Sequence, residues 1–212
     1  MGRIDYSLYL VTDRSLSRGR ATVEIVRAAV AGGVTCVQLR EKSCGTREFI
    51  EEARASVAVL RGAGVPLIVN DRVDVALAAG AAGVHLGQRD MALADARRLG
   101  PPGWIIGISA ESVEDAIRAE REGADYIGVS PVFATPTKTD TAPPLGLEGL
   151  RAIRAVVKIP LVAIGGIHTG NARDVIRAGA DGLAVVSAIA SADSPRAAAA
   201  ALRREIAAAR KV

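Results

Sequence analysis

Four segments of this 212-residue chain share one design: residues 31–38 (AGGVTCVQ), 79–86 (AGAAGVHL), 122–129 (EGADYIGV) and 178–185 (AGADGLAV). Each reads as the end of a helix, a glycine able to take the left-handed conformation that closes it, and then a short apolar strand. Repeating that junction implies parallel strands, because only a crossover of helical length returns the chain to the same end of a sheet. Further short apolar runs at 8–12, 67–70, 105–109 and 161–164 read as buried parallel strands and bring the total to eight. Helices are predicted near 23–31, 46–61, 73–79, 92–99, 113–122, 147–157, 171–178 and 196–210. Eight βα units point to one α/β domain over residues 1–212, a closed (β/α)8 TIM barrel. Alternation alone also allows an open, doubly wound sheet. No linker or break in composition divides the chain. The longest irregular stretch, residues 131–146, has the length of a functional or disordered loop.

Half of the residues are hydrophobic but only six are aromatic, so the core must be built mainly from Ala, Val, Leu and Ile. The formal charge of +4 comes largely from arginines that alternate with acids, as in Arg118, Glu120, Arg121 and Glu122. No basic tract with interleaved aromatics forms, which argues against nucleic acid and leaves small anions as the expected partners. Cys36 and Cys44 fit neither a metal motif nor a disulfide framework and are expected to be free thiols. Without a signal-like apolar segment or a run near ~18 apolar residues, no membrane partner and a cytoplasmic location are expected. A homo-oligomer is left open.

In a barrel the chemistry gathers where the strands end. There the chain places Thr12 and Asp13; Gln38, Arg40 and Lys42; Asn70 and Asp71; His85, Gln88 and Asp90; Ser109; Ser130; Gly165 and Gly166; and Val186 and Ser187. Gln38, Arg40 and Lys42 occupy alternate positions, so a strand turns all three to one face, with Leu39 on the other. Two cations directed inward call for an anion, although Lys42 alone also fits an ordinary charged loop. Asp71 and Asp90 follow neighbouring strands and would suit Mg2+ shared with phosphate oxygens, or each could cap the next helix. Gly165, Gly166, Val186 and Ser187 stand where barrels often bind phosphate through backbone N–H groups, or simply form tight turns. His85 reads as a packed, hydrogen-bonded residue and His168 as part of the loop entering the seventh helix. Lys138 could in principle form a Schiff base, but its threonine neighbours favour anion binding. No nucleophile set of the Ser/His/Asp or Cys/His kind is evident.

The strings Tyr9–Asp13 (YLVTD), Gln38–Lys42 (QLREK), Asn70–Asp71, His85–Asp90 (HLGQRD), Gly107–Ser109 (GIS), Thr135–Lys138 (TPTK), Ile164–Ile167 (IGGI) and Val186–Ile189 (VSAI) run through the chain in order. Together they resemble the thiamine-phosphate synthase family. The resemblance implies a barrel enzyme that joins hydroxymethylpyrimidine diphosphate to thiazole phosphate with Mg2+, releasing diphosphate and thiamine phosphate. It assigns Gln38, Leu39, Arg40, Glu41, Lys42, Asn70, Ser109 and Lys138 to the pyrimidine diphosphate, with Arg40, Lys42, Ser109 and Lys138 catalytic. Thr135, Pro136, Thr137, Gly166, Val186 and Ser187 fall to the thiazole phosphate, and Asp71 and Asp90 to the metal. A thiazole tautomerase of the same fold is the competing enzyme. Such relatives typically carry histidine where this chain has Glu111, a position that also fits the first turn of a helix. A non-catalytic barrel that binds thiamine-related phosphates is the third reading.

Overall fold

The computed structural model describes residues 4–135 and 143–211. Its eight strands are β1 (Leu8–Val11), β2 (Cys36–Leu39), β3 (Leu67–Asn70), β4 (Gly83–Leu86), β5 (Ile105–Ala110), β6 (Tyr126–Val129), β7 (Leu161–Ile164) and β8 (Gly182–Val185). All pair in parallel in chain order, and β8 pairs back onto β1, so the sheet closes and the open-sheet alternative is excluded. The helices are α1 (Thr22–Ala31), α2 (Thr46–Arg61), α3 (Val73–Ala79), α4 (Leu93–Leu99), α5 (Val113–Arg121), α6 (Gly146–Val156), α7 (Ala172–Arg177), α8 (Ser187–Ala190) and α9 (Pro195–Ala209). Each of the four repeated junctions puts a glycine at positive φ three residues before its strand begins, as expected from their common sequence. α8, a four-residue helix directly after β8, is an element too short to leave a periodic signature.

Alternation sorts the side chains into two layers. Leu8, Leu10, Val37, Leu39 and Val69 point outward and pack with Ile25, Val26, Phe49 and Leu60 of the helical shell. Tyr9, Val11, Cys36, Ile68, Ile105, Tyr126 and Val162 point inward and fill the lower barrel, with the Tyr6 ring tilted against Tyr126. The shell is almost wholly aliphatic, whereas the interior concentrates phenols and leaves its upper end polar. Cys36 and Cys44 are both free, and Cys36 is fully buried. Among the described residues no helix is long and apolar enough to cross a membrane.

Candidate active site

A cavity of about 1000 Å³ opens at the C-terminal ends of the strands. That volume lies at the upper end of those that enclose small-molecule ligands. Its floor is a chain of hydrogen bonds crossing the barrel. Gln38 Nε2 donates to Tyr9 Oη at 3.2 Å, the Tyr9 and Tyr126 hydroxyls are 2.8 Å apart, His85 Nδ1 lies 2.9 Å from Tyr126 Oη, and His85 Nε2 lies 2.9 Å from Ser109 Oγ. Five strands therefore contribute to one connected polar floor. Burial pushes the Tyr9 and Tyr126 phenols well above their ordinary values, so both stay neutral.

Two glycines make room for this floor. A Cβ on Gly107 would fall 2.1 Å from Tyr126 Cζ, and one on Gly128 would fall 2.9 Å from His85 Cε1. Neither ring could take its place if those strand positions carried side chains.

The wall formed by β2, β3 and β4 is ionic. Arg40 and Lys42 face the cavity as their alternation predicts, and each meets an anion of the protein itself. Arg40 Nη1 meets Asp13 Oδ2 at 2.6 Å, and Lys42 Nζ meets Asp71 Oδ2 at 2.6 Å. The protein supplies both counter-charges itself, from the segments that follow β1 and β3, the two strands paired with β2. Leu39 and Glu41, assigned by the resemblance to the pyrimidine diphosphate, do not line the cavity. The pleat turns them outward: Leu39 is fully buried under the helices, and Glu41 packs beside Arg14.

Asp71 and Asp90 both line the cavity, and neither caps a helix. The α3 N-cap is Arg72 and the α4 N-cap is Ala92, neither with a side-chain cap bond. Asp71 instead adopts a left-handed backbone (φ 62), an uncommon conformation for a residue with a Cβ, while Asp90 Oδ2 accepts the Gly87 N–H at 2.7 Å. Burial, together with a hydrogen bond and like charge from Asp71, raises the Asp90 carboxyl above its ordinary value. The two carboxyls thus share one spot on the wall.

The opposite side, after β7 and β8, is made of backbone. Gly165 (φ 106) and Gly166 (φ 63) form a turn in which a Cβ would meet Pro131 Cβ at 2.8 Å or Ala134 O at 2.7 Å. Next to it, Val186 and Ser187 open α8, and all of these residues but Pro131 line or border the cavity with Thr135. The start of the 131–146 loop is held here, since Val132 and Phe133 donate their N–H groups to Ile164 and Gly165. Pro136, Thr137 and Lys138 lie outside the described residues.

Gln38, Asn70 and Ser109 also line the cavity, and His85 combines the expected hydrogen-bonded packing with a place on its floor. His168 does belong to the loop entering α7, where its Nδ1 accepts the Gly170 N–H at 3.1 Å. Glu111 stands on the rim ahead of α5, whose N-cap is Ser112, rather than in the first helical turn. Sequence reasoning missed the floor tyrosines as cavity residues. Their only local signal was two phenols on inward strand positions of an aromatic-poor chain.

The chain matches the family model described as thiamine monophosphate synthase over residues 8–189. It is 60% identical to a thiamine-phosphate synthase of Albidiferax ferrireducens, over 94% of this chain and 91% of that one. A thiamine-phosphate synthase of Chloroflexus aurantiacus is 58% identical over 94% of this chain and 92% of its own. Among solved structures, a thiamine phosphate pyrophosphorylase of Pyrococcus furiosus superposes with a TM-score of 0.90 at 44% identity, covering 98% of each chain. With its fold, its motifs and these relatives in agreement over nearly the whole length, the chain belongs to the thiamine monophosphate synthase family.

Proposed function

We propose that this cavity carries out the joining of hydroxymethylpyrimidine diphosphate to thiazole phosphate, giving thiamine phosphate and diphosphate, with Mg2+ held by Asp71 and Asp90. The observation that carries this reading is the division of one cavity into an ionic wall, a polar floor and a backbone turn. A diphosphate, a flat heterocycle and a monophosphate need those three surfaces.

The bond between the pyrimidine methylene carbon and the diphosphate oxygen breaks with its electron pair leaving on oxygen, and the thiazole nitrogen lone pair forms the new bond to carbon. The carbon becomes cationic on the way, stabilised by the pyrimidine itself, so the protein's task is to hold the departing negative charge and aim the nucleophile. Arg40 and Lys42 supply cations at the leaving oxygens. Ser109, fixed through His85 to the floor, and Gln38 and Asn70 orient the pyrimidine diphosphate. Gly166, Val186, Ser187 and Thr135 receive the thiazole phosphate, largely through backbone N–H groups. Lys138, Pro136 and Thr137 belong to the same reading by their motif.

The donor set fits Mg2+. Two carboxylates converge on the cavity, and no set of three or more His, Cys, Asp or Glu residues gathers among the described residues, so substrate oxygens and water would complete the shell. When bound, the ion supplies charge neutralisation at the diphosphate.

The test incubates the protein with both substrates and Mg2+ and follows diphosphate and thiamine phosphate together. Equal release of the two is expected. Isomerisation of the thiazole alone points to a tautomerase, and saturable binding without turnover to a carrier.

A further inference from the structure

β1 and β2 end in two crossed charge pairs. Asp13 Oδ2 accepts from Arg40 Nη1 at 2.6 Å, and one residue further along each of the segments that follow the strands Arg14 Nε lies 3.4 Å from Glu41 Oε2. The carboxylate of Asp13 is divided between two tasks. Its Oδ1 accepts the Ser15 backbone N–H at 3.0 Å and the Ser15 hydroxyl at 2.5 Å, capping the turn Arg14–Leu16, which leaves Oδ2 aimed at the guanidinium. Arg40 is fixed at its other end too, because its backbone N–H donates to Thr12 Oγ1 at 3.0 Å. Arg14 in turn is gripped by Glu48 at 2.6 Å and Glu52 at 3.0 Å, so the Asp13 turn is tied to α2.

We propose that Asp13 is a positioning residue for the reaction: it holds Arg40 extended over the cavity before any ligand arrives. The inference rests on the reading that Arg40 meets the pyrimidine diphosphate. Asp13 engages one Nη1, and a guanidinium presents five N–H donors in a planar fork, so the grip orients the group without exhausting it. An arginine held this way loses less rotamer freedom on binding than one released into solvent. The competing view treats Asp13 as an anion that repels the incoming diphosphate and competes for Arg40. The two views predict opposite signs.

Asp13→Asn separates them. Asparagine caps a turn about as well as aspartate, so the turn is kept, while an amide loses the charge and places an N–H donor or a weaker acceptor against Arg40. The experiment measures inorganic diphosphate binding in the presence of Mg2+ by calorimetry, and the KM of each substrate, for the full chain with Asp13→Asn, Arg40→Ala and both. Expected is a loss of about three- to ten-fold in diphosphate affinity, with a parallel rise in KM for the pyrimidine diphosphate. The KM for thiazole phosphate should hold, and Asp13→Asn should add nothing once Arg40 is alanine. Tighter or unchanged diphosphate binding overturns the proposal, as does an equal loss in the Arg40→Ala background. Should Arg40→Ala itself leave diphosphate affinity intact, the reading of Arg40 fails first, and that result is distinct from the others.

Discussion

The two sides of the barrel mouth offer a ligand opposite kinds of surface. Beside β2, β3 and β4 it meets long charged side chains, among them Arg40 and Lys42, both already engaged with a carboxylate from a neighbouring loop. Beside β7 and β8 it meets a glycine turn and the opening of a short helix, where the groups on offer are main-chain atoms. Flexible ions need partners to be held in place, whereas backbone is held by the fold. The first side can therefore be tuned by single side chains; the second can be changed chiefly by adding atoms where none fit.

The largest effect is expected on the ionic side. Asp90→Ala should lower Mg2+-dependent turnover by about 100-fold or more while leaving the thermal midpoint close to that of the parent, read by product formation and a melting curve. Retained turnover would remove Asp90 from the metal site. Arg40→Ala removes charge-assisted hydrogen bonds worth about 1.5–3 kcal/mol, so KM for the pyrimidine diphosphate should rise about 10- to 100-fold. Equal rises for both substrates would mean that Arg40 only props up the mouth. On the backbone side, Gly166→Ala forces a Cβ to within 2.7 Å of Ala134 O at a φ of 63, and the response should reverse: KM for thiazole phosphate up about ten-fold, that for the diphosphate little moved. A rise confined to the diphosphate substrate would erase the distinction between the two sides. Lys42→Ala closes the series with about a three-fold effect, because its side chain is 55% exposed and solvent screens its charge. A loss matching that of Arg40→Ala would show that exposure does not set the ranking.

Much of the architecture is legible in the sequence because it depends on short-range rules. The glycine junctions announce four αβ turns, and the alternation of Gln38, Arg40 and Lys42 correctly turns those residues to one face. Partnerships across the chain are not legible in the same way. Asp13 meets Arg40 because β1 pairs with β2, and Tyr9 meets Tyr126 over 117 positions because the barrel closes. Local rules even mislead at Asp71 and Asp90, where helix capping is a sound expectation from the next few residues and a carboxylate pair is the outcome set by adjacent strands. Likewise, burial calls for an anion beside Arg40 without saying which, and the carboxylate that the fold supplies, Asp13, follows another strand.

The inward phenols have a spectroscopic consequence. All three tyrosines of the chain, Tyr6, Tyr9 and Tyr126, sit inside the barrel, while the single tryptophan, Trp104, is buried in the outer shell with its indole N–H donated to Ala81 O at 3.0 Å. Two chromophores thus sample two layers of one molecule. Near-ultraviolet absorption difference spectra in the tyrosine band report on the cavity floor, and indole emission reports on the shell, so events at the floor can be followed optically without adding a label.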